Sequence, residues 1–399
     1  MSKPLRLLTI GHSHVVAMNR AMWRELARDP NFNITVAAPS TFKGDLRPLT
    51  LDPEPAGSPL SLVPLDAAWT GRIHVFRYNN RQLRKLMREG EFDVVHAWEE
   101  PYVYAGYQIA RALRDSPARF VFRTAQNLVK RYPPPFSYFE RQTLRRAQGW
   151  VAGGKLVFEA GIKRGFPSDR GRILTLAVDV GAFHPLADDE RQSLLKELGL
   201  QPPVLGFLGR LSEDKGLDVL MQAVELLPES QPWSLLLLGS GPYQEKVEAW
   251  ASAKGWQKRV RVKLVKHQDA PRYVAAMDML LAPSQTTRHW REQFGRMIVE
   301  AFASGVPVVG SDSGEIPFVI ADAGRVVAEQ DPAAWARTIQ ELLGQPETRK
   351  MLAQRGLQRA TRFSCPAVAA QFSEFYRWVA QQPVCCCSSD HEPAANTGG

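Results

Sequence analysis

Twice in this chain a short apolar run closes on a glycine and gives way to residues spaced as one face of a helix. Leu5-Arg6-Leu7-Leu8-Thr9-Ile10-Gly11 precedes Val16, Met18, Met22 and Leu26, and Val204-Leu205-Gly206-Phe207-Leu208-Gly209 precedes Leu217, Leu220, Met221 and Val224. A strand with so little polar character must be covered on both faces, and helices between such strands supply the cover. The fold class is therefore α/β with parallel sheets. Residues 33–38, 92–96 and 119–123 read as further strands of the first half, and 234–239, 279–282 and 306–309 as strands of the second. At 399 residues with 44% hydrophobic content the chain is long enough for two cores. The loop around Pro185 marks the boundary.

Within the second half, Glu292-Gln293-Phe294-Gly295-Arg296-Met297-Ile298-Val299-Glu300 sets two carboxylates about a glycine and a short apolar run. If a helix starts near Gly295, its free N–H groups and positive dipole end form a place for an anionic diphosphate. The eight-residue spacing, taken along a helix, rises about 12 Å and sets Glu300 two turns in. The competing reading is a solvated helix with two ordinary glutamates. A second segment, Gly209-Arg210-Leu211-Ser212-Glu213-Asp214-Lys215-Gly216, lies between a strand and a helix, a layout suited to phosphate. Arg210 can hold phosphate oxygens bidentately and Lys215 supplies a point charge. Both also read as solvated loop charges. Gly239-Ser240-Gly241-Pro242 lacks the third glycine of a dinucleotide fingerprint and reads as structural.

With Gly305-Val306-Pro307-Val308-Val309 and Ser313-Gly314-Glu315-Ile316-Pro317, these segments resemble the retaining family 4 glycosyltransferases (glycosyl transferases group 1), most strongly over residues 200–330. The resemblance implies a GT-B fold, two Rossmann-like doubly wound domains facing an interdomain cleft. It divides the chain into an acceptor-side domain at 1–185, a nucleotide-sugar domain at 186–363, a helix at 364–380 returning to the first domain, and a disordered tail at 381–399. It implies transfer of a hexose-type sugar from a nucleoside diphosphate sugar to an acceptor hydroxyl with retained configuration. Glu292, Arg210 and Lys215 would be catalytic, and Gly11, Gln126, Gly209, Phe294, Gly295, Arg296, Met297 and Glu300 would bind substrate. No Asp-x-Asp pair occurs, so no metal is expected.

The chain departs from the family in several places. Gly11-His12-Ser13-His14 stands where paired glycines are usual, Gln126 where a histidine is frequent, and Gln293 where a glycine is frequent. His96 is placed at a strand end facing the cleft, with a structural role as the alternative.

Charge is uneven: the chain carries a formal +9, with +11 over residues 1–180 and −2 over the rest. Arg81, Arg84, Lys85 and Arg88 form one cluster. Lys130, Arg131, Arg141, Arg145 and Arg146 surround the aromatic stretch 132–139. Such a mixture suits an anionic membrane face, a lipid-linked acceptor or a nucleic acid, of which nucleic acid is not expected here, and an ordinary solvated surface is the alternative. No run approaches twenty apolar residues and no signal peptide opens the chain, so a soluble, cytoplasmic protein is expected, with peripheral attachment to the inner face of the cell membrane as an option. Cys385-Cys386-Cys387 lack metal-ligand spacing, and no disulfide is assigned. Two other functions remain open, a sugar-nucleotide epimerase of the same fold and a noncatalytic sugar-nucleotide sensor.

Overall fold

The structure, a computed structural model, describes residues 3–44, 48–266 and 268–384. The Cys385–Cys387 run and most of the segment read as a tail lie outside the described residues. Two parallel sheets organise the chain. The first has seven strands, in the order 171–173, 149–152, 119–124, 94–97, 5–10, 32–39 and 61–65. The second has six, in the order 260–263, 234–238, 204–208, 279–282, 308–311 and 324–327. In both, the strand order reverses beside the first strand, so the crevice at the carboxyl ends of the first and fourth strands is the place for a ligand. Those pairs are Leu5–Ile10 with Val94–Ala97, and Val204–Leu208 with Met279–Ala282.

The apolar runs behave as sheet physics requires. Val94–Ala97, Gly149–Ala152, Ser234–Leu238 and Met279–Ala282 are buried at every position. Strands 61–65, 149–152, 171–173, 260–263 and 324–327 are additions to the sequence reading. Of these, all but 149–152 lie at sheet edges, are only partly buried and mix polar with apolar residues, so they carry a weak hydrophobic signal.

The last helix, Cys365–Ala380, starts at Ser364, whose hydroxyl accepts from the Ala367 N–H, with proline in the first turn. Its apolar face, Val368, Phe372, Tyr376 and Val379, packs against Trp23, Leu26 and Val94 of the first domain. His96 belongs to this interface and not to the cleft. Its Nδ1 lies 2.6 Å from the Tyr376 hydroxyl, and its ring contacts Trp23, Trp98 and Phe372. The alternation of side chains along Val94–Ala97 aims His96 at the returning helix.

Arg146 also departs from expectation. It is buried, and its guanidinium donates to the carbonyls of Leu113, Ser116 and Ala118. Arg141 and Arg145 remain exposed on the helix Phe136–Arg146. The aromatic segment is only half-buried: Tyr132 stacks on Tyr102 at 3.9 Å and Phe139 stacks on Tyr107 at 4.9 Å, while Tyr138 is exposed.

Beside His96, His14 is fully buried, with Nε2 3.0 Å from the Thr9 hydroxyl. Burial lowers its pKa to about 3, reinforced by His12, Arg20 and Arg123, and burial likewise holds His96 well below its ordinary value. The unfolded chain takes up these protons near pH 6.5 and the folded one does not. Stability is thus complete above pH 6.5 and falls as pH drops toward 3. His14 alone should cost about 2 kcal/mol at pH 5. Thermal unfolding at pH 7.5 and 5 should show a smaller acid loss in His14→Gln than in wild type; equal losses would remove His14 from the account.

Candidate active site in the interdomain cleft

The strand Val204–Leu208 runs into the loop Gly209–Gly216 and then the helix Leu217–Glu225. Gly216 has φ +73, and a Cβ there would sit 1.8 Å from the Pro283 carbonyl oxygen. Only glycine permits that approach. It presses the loop bearing Arg210 and Lys215 against the segment that follows Met279–Ala282, the segment carrying Glu292. The consequence is an ion pair across the crevice: Lys215 Nζ lies 2.7 Å from Glu292 Oε2, and the Ser284 hydroxyl donates to the same oxygen at 2.9 Å. The Lys215 ammonium also lies 4.2 Å from the centre of the Trp290 ring. Both charged side chains are largely buried, at 18% and 10% exposure, where a pair is screened less than at the surface. Arg210 is more open, 43% exposed, with Nη2 3.5 Å from Asp214 Oδ1; the Ser212 hydroxyl donates to that oxygen at 2.6 Å.

Gly295, with φ +81, precedes the helix Arg296–Ala303. This corrects the helical ruler laid from Glu292 to Glu300. The left-handed residue breaks the chain direction, so Glu292 lies before the helix and Glu300 only one turn into it. Glu300 is 8% exposed, and no hydrogen bond to its carboxylate is found among the described residues. Burial raises its pKa to about 7, opposed by the nearby Arg296.

The first domain closes on these groups. The Asn127 amide donates to the Glu292 carbonyl at 2.8 Å, Arg291 donates to the Asn127 carbonyl, and Lys130 donates to the His289 carbonyl at 2.8 Å. Arg296 donates to Asn19 Oδ1 at 3.1 Å, and Asn19 donates to the Ser13 carbonyl at 2.8 Å. The Glu315 carboxylate accepts from the Leu156, Lys155 and Val157 amides at 2.6, 3.1 and 3.4 Å, where the helix Lys155–Lys163 begins. A carboxylate at that positive end is favoured by the helix dipole.

Other sequence-selected residues play different parts. A Cβ on Gly11 would lie 2.7 Å from the Trp98 Cβ, so this glycine serves packing. Gly209, at φ +154, donates to Leu238 O at 3.0 Å. Gln126 is spent on its own loop, accepting from the Leu128 N–H at 2.9 Å and donating to the Tyr132 hydroxyl at 3.3 Å. Phe294 packs into the core, 5.5 Å from the Phe363 ring, and Met297 is half-buried against the same cluster.

Sequence reasoning missed a group at the first domain's own crevice. Glu99, 3% exposed, lies 2.8 Å from His12 Nδ1 through Oε2, while Oε1 accepts from the His12 N–H at 2.7 Å and the Tyr78 hydroxyl at 2.8 Å. His12 stacks on Phe42 at 4.9 Å. The signal was present: each residue closely follows one of the two strands at the reversal. Among the described residues no three His, Cys, Asp or Glu side chains cluster as metal ligands.

Comparison with known proteins agrees with this layout. The family model for glycosyl transferases group 1 matches residues 189–359. The D-inositol 3-phosphate glycosyltransferase of Corynebacterium efficiens is 34% identical over 222 residues, 52% of this chain and 51% of that protein. The protein of that name from Jonesia denitrificans is 25% identical over 338 residues, covering 77% and 76%. The chain thus spans about half the length of the more similar relatives it matches. Among solved structures, Anabaena HepE in complex with UDP and glucose superposes with a TM-score of 0.73 at 17% identity, covering 94% of this chain and all of that one. A glycosyltransferase from Rickettsia africae gives 0.76 at 16% identity, covering 96% and 100%.

The Glu300 environment makes a prediction about the protein alone. A carboxylate whose pKa is raised from 4.5 to about 7 destabilises the fold once it must ionise, so the cost is absent below pH 4.5 and complete above pH 7. Glu300→Gln should therefore stabilise at pH 8, by at most about 3 kcal/mol, and much less at pH 5. Denaturant unfolding at the two pH values checks this, and an equal effect at both would contradict it. Residues 189–359 of this chain thus match the family model for glycosyl transferases group 1, and the chain as a whole has the two-domain GT-B fold.

Proposed function

We propose that this chain is a retaining glycosyltransferase that moves a hexose from a nucleoside diphosphate sugar to an acceptor hydroxyl. The observation that carries the reading is the Lys215–Glu292 pair, on segments leaving the second domain's reversal point, followed by the helix Arg296–Ala303 that carries Glu300. HepE, solved with UDP and glucose, supports a uridine diphosphate sugar as donor. Relatives named for D-inositol 3-phosphate support a polyol-type hydroxyl acceptor.

Each residue then has a task. A diphosphate entering beside Lys215 shares that ammonium with Glu292, and Arg210 on the same loop meets the second phosphate. The amide end of Arg296–Ala303 adds a fixed positive field. The leaving charge is thus met by the protein itself, and we propose a metal-independent reaction. Glu292, with one oxygen on Lys215 and Ser284, orients sugar hydroxyls and favours the developing cationic sugar. Glu300 accepts the ribose hydroxyls. Attack and departure on one face, with the acceptor proton passing to the leaving phosphate, give retention without a protein nucleophile. No helix among the described residues is long and apolar enough to cross a membrane. We propose a cytoplasmic enzyme held peripherally on an anionic membrane.

Arg210→Ala should weaken UDP binding about 10- to 100-fold, as expected for lost charged hydrogen bonds, with uridine binding nearly unchanged. Equal calorimetric losses for both ligands would take Arg210 out of the phosphate site. Glu292→Gln should lower turnover on the order of 10²–10³-fold with little change in donor affinity. Wild-type turnover in that variant, read as nucleotide release, would overturn the assignment. Ionised Glu300 accepts more strongly than its acid, so donor affinity should rise as pH passes 7. Glu300→Gln should flatten that profile.

A further inference from the structure

The largest exposed indole of the first domain stands at the end of a small hairpin. Ala67–Ala68 pairs antiparallel with Arg77–Tyr78, and between them Trp69 is 60% exposed and Ile73 39% exposed. The Arg72 N–H donates to the Trp69 carbonyl and the Phe76 N–H to the Arg72 carbonyl, folding the tip tightly. Trp69 adopts φ +59, a left-handed conformation unusual for a bulky side chain. The Arg77 guanidinium lies over its ring at 4.5 Å. A strained backbone thus holds an aromatic outward with a cation on its face.

The surroundings of the tip are predominantly basic, with Asp66 just before the hairpin and Glu89 beside Lys85 and Arg88 as the acidic residues that flank it. From Ala67 to Arg88 the chain has Arg72, Arg77, Arg81, Arg84, Lys85 and Arg88 and no acidic residue. All six of these side chains are exposed. Lys43 joins them, its amide donating to the Thr70 hydroxyl at 3.3 Å. An indole and an isoleucine ringed by bases match the headgroup zone of an anionic bilayer, where amphipathic rings settle and cations meet phosphate.

The hairpin base points the other way, into the cleft. Phe76 is fully buried 5.6 Å from the His12 ring, and the Tyr78 hydroxyl donates to Glu99, which holds His12. We propose that the tip Trp69–Arg77 is the element that seats this chain on a bilayer rich in anionic phospholipid, with Trp69 and Ile73 entering the headgroup layer. This rests on the peripheral association proposed above and gives it a location other than the helix Phe136–Arg146. An acceptor hydroxyl at the bilayer surface then lies beside the first domain's crevice.

The test is co-sedimentation at low salt with phosphatidylglycerol vesicles and with phosphatidylcholine vesicles, using wild type, Trp69→Ser with Ile73→Ser, and Arg72→Glu with Arg77→Glu. UDP affinity is measured in parallel. Wild type should pellet with the anionic vesicles only. Both double variants should lose about tenfold or more in vesicle affinity, the arginine pair because each exposed base near such a surface contributes about fivefold and the apolar pair because it removes the groups that enter the headgroup layer, and both should keep wild-type UDP affinity. Wild type that stays in solution overturns the proposal. So do variants that pellet like wild type, which would move the docking face to Arg141 and Arg145, and variants that lose vesicle and UDP binding together. Vesicle binding by a wild type that fails to bind UDP would sustain the docking surface while removing the donor-site reading.

Discussion

The peptide at Glu292 is the point on which the cleft is assembled. Its carbonyl accepts from the Asn127 amide of the first domain and from the Glu315 N–H of the second, while its carboxylate accepts from Lys215 and Ser284. Four donors from four separate loops converge on one residue. Three of those loops leave neighbouring strands of one sheet, and Gly216 against Pro283 brings two of them together. Removing either partner of a largely buried pair leaves an uncompensated charge, which costs more than the pair itself contributes. The residue proposed to act on the sugar is thus also one of those that tie the two domains across the crevice.

That convergence explains which parts of the fold and site were legible in the sequence. Fully apolar strands such as Met279–Ala282 and glycine-ended ones such as Leu5–Ile10 announce themselves by local pattern. Glu292, Arg210, Lys215 and Glu300 could be selected because each lies in a short segment whose loop or helix start is written nearby. The His12–Glu99 pair was not selected, because its members are far apart in sequence and meet only where two neighbouring strands of one sheet end together. His96 and Arg146 were misplaced for the converse reason. Their types suggest a cleft or a surface, and nothing local shows that Tyr376 waits for one and three backbone carbonyls for the other. The eight-residue ruler failed on a single backbone angle, since Gly295 takes φ +81 and the helix begins only after it.

The carboxylates of the cleft divide by environment. Glu292 is paired with a cation and accepts from a hydroxyl at hydrogen-bond distance, whereas no hydrogen bond to the Glu300 carboxylate is found among the described residues, and burial pushes its pKa toward neutrality against the nearby Arg296. Glu100, next to the missed Glu99, is also raised by burial, although the Thr124 hydroxyl and the Ala125 amide favour its charged form. Burial alone thus does not sort these groups; the donors aimed at each carboxylate do. A hydroxyl-bearing ligand would therefore gain most at Glu300, where acceptor capacity is least used.

The same polar groups determine how the cleft can open. The chain crosses between domains twice, near Val178 and near Ser364, and the two crossings are joined: Val178 and Ser364 form an isolated parallel bridge, and the Val178 N–H donates to the Phe363 carbonyl at 2.8 Å. Beyond the second crossing, the helix Cys365–Ala380 is committed to the first domain by Phe372, Tyr376 and Val379. A rotation that separates the sheets must release the Glu315 carboxylate from the Lys155–Val157 amides, Asn127 from Glu292, and Arg296 from Asn19. All of these are hydrogen bonds that water can replace. Such a rotation need not disturb the apolar packing of the last helix, which travels with the first domain. The pivot therefore falls at the paired crossings, and the hydrogen bonds that must break for the cleft to open include one of the two that the Glu292 carbonyl accepts, whereas its bonds from the Glu315 N–H, Lys215 and Ser284 lie within the second domain and persist.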